Sequence, residues 1–373
     1  MRMKNNDTLA LLSNLAWNQF TMPLQKKILK KCFRPGLLMA ITAVVASCLY
    51  FFNNGGQSTV INHLPFTVVK PGRYVISQDL RTTTPHAITI NCDDVEIDGH
   101  GKLIAQEGSE QEFSIGIYAF SRSRIHIHDV TLSGFTYGIH LDAPYGTPEL
   151  NTRMPRHLKV NNTCLHACKF RGVGMHGIES EISDCVFWKT GGARMGTLSF
   201  AMGIELMGSG NKVTGNHIID TFSSSHLGRA RVTDLFSEAV GISLSSGCSD
   251  TTVNDNQILN SRRAFDPWHE EEPDQSTGKI RWQRTIGIWI SDDSHRAKIT
   301  RNTVRKYDWG VATNATGMSP SMNDCHLEDC GTDMIIGAYE IPDARQVSSF
   351  EIHNGTIFIN KSSSHNVRVV KHP

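Results

Sequence analysis

Three residues that can move protons near neutral pH, His140, His176 and Glu205, occupy equivalent places in this chain. Each follows a glycine and an apolar residue: Gly138-Ile139, Gly174-Met175 and Gly203-Ile204. The same step precedes Tyr118, Ser243, Trp289 and Ala312. If each apolar residue points inward from a strand, its successor points outward, and stacked strands line the successors up as one column. His140, His176 and Glu205 are then the candidate catalytic groups, and Tyr118 and Trp289 supply flat faces for a ring-shaped ligand. Charged segments add binding candidates. One offers Arg262, Arg263, Asp266, Trp268, His269, Lys279 and Arg281, and an earlier one offers Arg229 and Arg231. The competing reading of both features is an ordinary solvated surface.

A column needs stacked strands, and the sequence supplies a repeat that would make them. From residue 86 onward a glycine and an apolar strand are followed by a polar turn, then by Asn or Asp before a second short strand. The glycine step falls at Gly116, Gly138, Gly174, Gly203, Gly241, Gly287 and Gly310, at intervals of 22, 36, 29, 38, 46 and 23 residues. The second landmark is Asp98, Asp129, Asp184, Asn216, Asn256, Asn302, Asp324 and Asn354. Asn and Asp tolerate left-handed backbone angles, which suits a repeated tight bend. Segments such as Gly241–Ser245 and Thr285–Ile290 alternate apolar with other residues, the period of a half-buried strand. Short strands repeating every 22–23 residues describe a solenoid, in which each turn buries its face by stacking on the next. A β-propeller would repeat at about 40–50 residues.

The chain from about residue 60 to 360 resembles the right-handed parallel β-helix proteins of the pectin-lyase-like class. Its opening segments Leu64–Thr67, Pro71–Tyr74, Ile88–Ile90 and Val95–Gly101 look like the first coils of many of them. The resemblance implies an all-β, single-stranded right-handed parallel β-helix with loop insertions. The insertions at 189–200, 223–238 and 262–284 all precede a glycine step, so they should leave one corner of the solenoid and build one wall. In the resembling class that corner borders a groove for polysaccharide.

The resemblance thus implies lyase or C5-epimerase chemistry on an acidic polysaccharide, which needs three roles. A cation neutralises the uronate carboxylate, a base takes the C5 proton, and an acid protonates the leaving oxygen or the opposite face. The alternative is a non-catalytic glycan-binding or scaffolding β-helix of the cell envelope. A tailspike-like or adhesin reading ranks third. Phe265–Glu270 is similar to the Asp-Pro-His motif of alginate epimerases, but Trp268 interrupts it. Gly99-His100-Gly101 and Asp292-Asp293 are similar to polygalacturonase motifs, but in reverse order and far apart.

Composition restricts the partners. Lys and Arg number 37 against 36 Asp and Glu, but residues 1–35 hold seven basic residues and one acid. The remainder, 30 basic against 35 acidic, has a net charge of −5 and no excess of positive charge for nucleic acid. Gly36–Phe52 carries no charge and follows Lys26, Lys27, Lys30, Lys31 and Arg34, the pattern of a membrane anchor with the rest exported. Val45–Cys48 also resembles a lipobox, with Cys48 as the lipidated residue and Met22 as an alternative start. The expected organisation is a basic cytoplasmic segment 1–35, an anchor or signal 36–52, a linker 53–60, a β-helix 61–362 and a tail 363–373. Seven cysteines follow the anchor, without zinc-site spacing, and are expected to be buried as small apolar residues. No cofactor is expected. Calcium has no compact acidic ligand motif to hold it, and the sequence sets no oligomeric state.

Overall fold

The computed structural model describes residues 58–371 except 109–112, 145–153, 194–197, 224–235, 246, 262–281, 292–293, 314–319, 337–338, 342–346, 354–355 and 362–369. Residues 1–35, the apolar stretch 36–52 and Cys48 lie outside the described residues. No helix among the described residues is long and apolar enough to cross a membrane.

The described chain is all β, in three sheets of 13, 9 and 11 strands. Consecutive strands visit the three sheets in turn. Ile125–His128 enters the 13-stranded sheet, Thr131–Ser133 the 9-stranded and Tyr137–Asp142 the 11-stranded sheet. The next coil, Lys159–Asn161, Cys164–His166 and Arg171–His176, pairs in parallel on top of it. This is the right-handed parallel β-helix expected from the repeat. The period-2 pattern sets which side chains go in: Ile125 and Ile127 are fully buried, while His126 and His128 alternate outward. Registered pairing stacks the inward residues, as in Ile97, Ile127, Val160 and Ile182 along one sheet. Each such side chain contributes about 1.5–3 kcal/mol by leaving water.

The glycine step has a steric cause. A Cβ on Gly116 would lie 2.5 Å from the carbonyl oxygen of Gly138, and one on Gly138 would lie 2.7 Å from that of Gly172. The contact continues from Gly172 to Gly203, Gly241, Gly287 and Gly310 at 2.5–2.6 Å. Glycine is required where one coil's backbone closes on the next. Gly172, not Gly174, is the member of this stack in its coil, and Val173 pairs with Ile139 and Ile204. The expected Gly174-Met175 step is therefore displaced by two residues.

The Asn/Asp landmark resolves into two positions. Asp129, Asp184 and Asp324 do adopt left-handed angles, with φ of 55°, 54° and 53°. Asn216, Asn256 and Asn302 instead follow the left-handed residues Gly215, Asp255 and Arg301 and are buried as a ladder. Asn216 Nδ2 donates to Asn256 Oδ1, and Asn256 Nδ2 donates to Asn302 Oδ1, both at 2.9 Å. The ladder satisfies polar groups that would otherwise be stranded inside the coil.

Cys92, Cys164, Cys168, Cys185 and Cys325 are free thiols. Cys168, Cys185, Cys248 and Cys330 are buried as expected, whereas Cys92, Cys164 and Cys325 are partly exposed. The winding changes near the end: Tyr339–Ile341, Val347–His353 and Thr356–Lys361 pair antiparallel, closing both sheets with hairpins.

On the outer face of the 13-stranded sheet, His128 Nδ1 lies 2.6 Å from Asp129 and Nε2 lies 3.1 Å from Glu96, with Asp98 3.9 Å away. Asp98 is also paired with Arg73, and the His126 ring stacks on His128 at 4.5 Å. Burial disfavours the imidazolium, but these carboxylates more than offset it and raise the His128 pKa.

Gly172→Ala should destabilise the fold by about 1–3 kcal/mol in urea titration. Gly174→Ala, whose Cβ meets only the His140 ring at 3.2 Å and Arg171 Cδ at 3.7 Å, should destabilise it less. The reverse order would remove the glycine stack as the determinant of register. His128 should stabilise the protein below about pH 6.5, and that contribution should fade as pH rises through its higher folded pKa. The gap in urea midpoint between wild type and His128→Gln should therefore shrink from about pH 6 to about pH 9. A pH-independent gap would contradict this.

Candidate functional site

The 11-stranded sheet is lengthened where chemistry was expected. Its strands Leu198–Met207, Phe236–Leu244 and Trp282–Ile290 run 9–10 residues, against 5–6 in most of its other strands. The three insertions open between the 9-stranded and the 11-stranded sheet, from the corner the sequence implied. Arg229, Arg231, Arg262, Arg263, Asp266, Trp268, His269, Lys279 and Arg281 lie outside the described residues.

The outward column reads Tyr118, His140, Gly174, Glu205, Ser243, Trp289 and Ala312. His176 stands two residues further along, opposite Met207. The cluster nevertheless assembles, because Gly174 leaves a gap in the column and His176 continues the outward face beyond it. His140 and His176 meet edge to face at 5.6 Å. His176 Nδ1 bonds Asp142 Oδ1 at 2.8 Å, and its Nε2 is 3.6 Å from Glu205 Oε2. Arg171 Nη1 pairs with that same Glu205 oxygen at 2.8 Å, and Ser245 donates to the other at 3.3 Å. The chain of charge runs Asp142, His176, Glu205, Arg171.

Burial divides the roles. The side chains of His176 and Glu205 are 1% and 6% exposed, while Asp142, Arg171 and His140 keep 19%, 17% and 13%. For His176, burial opposes the charge, but hydrogen bonds to Asp142 and Glu205 prevail and raise its pKa. Burial likewise opposes ionisation of Glu205 and Asp142, yet His176, with Arg171 for Glu205, holds both below the usual carboxylate range. His140 lacks a comparable partner: its nearest carboxylate atom is 3.9 Å away, and burial pushes its pKa down to about 4. Both of its ring nitrogens are inaccessible to water and without a hydrogen-bond partner among the described residues. Two adjacent histidines thus have their pKa values pushed in opposite directions.

Aromatic rings fix His140 from two sides. Tyr137 stacks on it at 4.6 Å and 16°, and Tyr118 lies at 6.0 Å. Burial raises the pKa of both phenols and keeps them protonated. Trp289 is separated from this group. It packs with Val240, Ile286, Trp309 and Ala312 in a second apolar cluster, beneath Arg284, which pairs with Glu238 at 2.7 Å. Trp289 is therefore partly buried in packing and partly exposed.

Asp142, Arg171 and Tyr137 were missed by the sequence reading. The signal was present for Asp142, which follows His140 by two residues and so shares its face, whereas Tyr137 and Arg171 stand two residues before the inward Ile139 and Val173, where alternation alone would turn them inward.

No family model and no curated protein matches the chain. Solved structures similar to it include a double mutant of the tailspike protein of E. coli bacteriophage HK620 in complex with pentasaccharide. That match has 11% identity and a TM-score of 0.45, over 78% of this chain and 58% of that one. A single mutant of the same tailspike with pentasaccharide matches at 11% identity and TM-score 0.44, over 78% and 60%. PfbA, a surface adhesin of Streptococcus pneumoniae, matches at 9% and 0.37, over 85% and 89%. The chain spans 58–60% of the length of these tailspike chains.

Arg171→Met removes one partner of a buried pair and should destabilise the protein by about 3–5 kcal/mol at neutral pH. Adding Glu205→Gln should restore part of that. An Arg171→Met protein that melts within about 1 kcal/mol of wild type would show that the pair carries no such weight.

Proposed function

We propose that this chain is an exported, membrane-tethered β-helix protein that modifies an acidic polysaccharide by proton transfer at C5 of a uronic acid, as a lyase or C5-epimerase. The observation that carries the reading is His140, a neutral imidazole with unpartnered nitrogens beside a His176 locked by Asp142. The tether rests on the uncharged stretch 36–52 and the basic residues before it.

In this reading His140 is the base that takes the C5 proton, once a side-chain movement on binding uncovers its ring nitrogens, which are closed to water in the free protein. Arg171, partly exposed and with its Nε unpartnered, neutralises the uronate carboxylate and so acidifies that proton. Tyr118, in register with His140 on the neighbouring coil and kept protonated, donates to the leaving oxygen or to the opposite face. His176 and Glu205 are too deeply buried to touch a polymer and act as positioning residues. His176 separates two carboxylates that would otherwise repel, and Glu205 orients Arg171.

A second reading, a scaffold that binds glycan without turnover, is favoured by that same burial of two of the three expected catalytic groups. Proton NMR of a panel of acidic polysaccharides, before and after incubation with the protein, separates the two. Unsaturated-uronate signals mark a lyase, and altered anomeric ratios without shortening mark an epimerase. His140→Ala should lower the rate by about 10²–10⁴-fold. Spectra that stay unchanged while the polymer is retained by the protein would replace modification with binding.

A further inference from the structure

We infer that His140, Asp142 and His176 form a site for a divalent transition-metal ion, zinc by its chemistry, and that the ion switches off the proton transfer by occupying the His140 lone pair. The second clause rests on the proposed function; the site itself does not.

One ligand atom from each of the three residues lies within 4.8 Å of the others. Asp142 Oδ1 is 2.8 Å from His176 Nδ1 and 3.9 Å from His140 Nε2. Zinc bonds of about 2.0–2.1 Å in a tetrahedron place ligand atoms about 3.3 Å apart, so the widest pair, within 4.8 Å, closes with at most about 1.5 Å of side-chain movement shared between the two residues. Two imidazoles and one carboxylate suit zinc or a neighbouring first-row ion, and are too nitrogen-rich for calcium or magnesium. Three protein ligands leave one position open.

Two further observations point to a ligand. The nitrogens of His140 are buried with no hydrogen-bond partner, an arrangement that proteins avoid unless something else occupies the group. Behind the site, His176 Nε2 faces Glu205, which Arg171 and Ser245 hold in place. A metal-bound histidine is commonly oriented by such a carboxylate on its second nitrogen. The Asp98, His128 and Asp129 group on the 13-stranded sheet lacks these features. Both His128 nitrogens are engaged by carboxylates, Arg73 holds Asp98, and Asn162 bonds Asp129.

Binding replaces the hydrogen bond between His176 and Asp142 with two metal bonds and releases the proton of the imidazolium. With the ion seated, His140 has no lone pair for C5.

The test uses the full chain, stripped of metal with a chelator and then dialysed free of it. Co2+ titration should give about one ion per chain, with the intense visible absorption of a four-coordinate centre that Zn2+ bleaches. His140→Ala removes a side chain that makes no hydrogen bond, so its fold should survive by circular dichroism while the absorption is lost. Glu205→Gln should weaken binding by about 10–100-fold. Absence of Co2+ and Zn2+ uptake, or uptake unchanged in His140→Ala, would overturn the site. Turnover of polysaccharide by the stripped protein should cease at about one Zn2+ per chain; full turnover with Zn2+ bound would overturn the switch. A stripped protein without turnover on any polysaccharide would remove the switch together with the proposed function, and the Co2+ spectrum would still decide the site.

Discussion

Everything in this molecule depends on the close stacking of one coil on the next through a column of glycines. At Gly116, Gly138, Gly172, Gly203, Gly241 and Gly287 a Cβ would lie against the carbonyl of the next glycine in the column, which ends at Gly310. That contact leaves little freedom of register, because a slip of one residue would turn an isoleucine outward and a charge inward. The buried Asn ladder repeats the same constraint at another corner, with the amide of one coil bonded to the next. Together they convert a loosely periodic sequence into aligned columns, and alignment is what brings chemistry together from residues on different coils, such as Asp142 and His176, 34 apart in sequence.

The cluster on the 11-stranded sheet shows what such alignment makes affordable. Two carboxylates and two cations alternate along Asp142, His176, Glu205 and Arg171, so charges that would each resist burial stabilise one another. His140 lies at the edge of that chain without joining it. Burial opposes the charge of both histidines; the carboxylates beside His176 outweigh it and raise that pKa, whereas His140 is left neutral. The separation of roles is a matter of about one hydrogen bond's reach, 2.8 Å against 3.9 Å to the same Asp142 oxygen.

The fold was largely legible in the sequence because a solenoid is nearly one-dimensional. Glycine steps, alternating strands and Asn or Asp bends are local features, and each coil contacts chiefly its neighbours. Legibility failed where a local signal was ambiguous. Arg171–His176 contains two glycines, and only the carbonyl of Gly203 distinguishes Gly172 as the stacked one. The antiparallel hairpins beyond Tyr339 were equally unreadable, since alternation does not say which direction a strand pairs.

By itself the sequence determined the stacked β architecture, the corner that carries the insertions, and the outward positions of His140 and Glu205, because these follow from period and side-chain alternation. Tertiary structure alone decided that Asp142, Arg171 and Tyr137 complete the group, that Trp289 packs in a separate apolar cluster, and that the two histidine pKa values move in opposite directions. Those outcomes depend on distances of a few ångströms between coils and on exclusion of water, quantities set by the whole stack and by no segment within it.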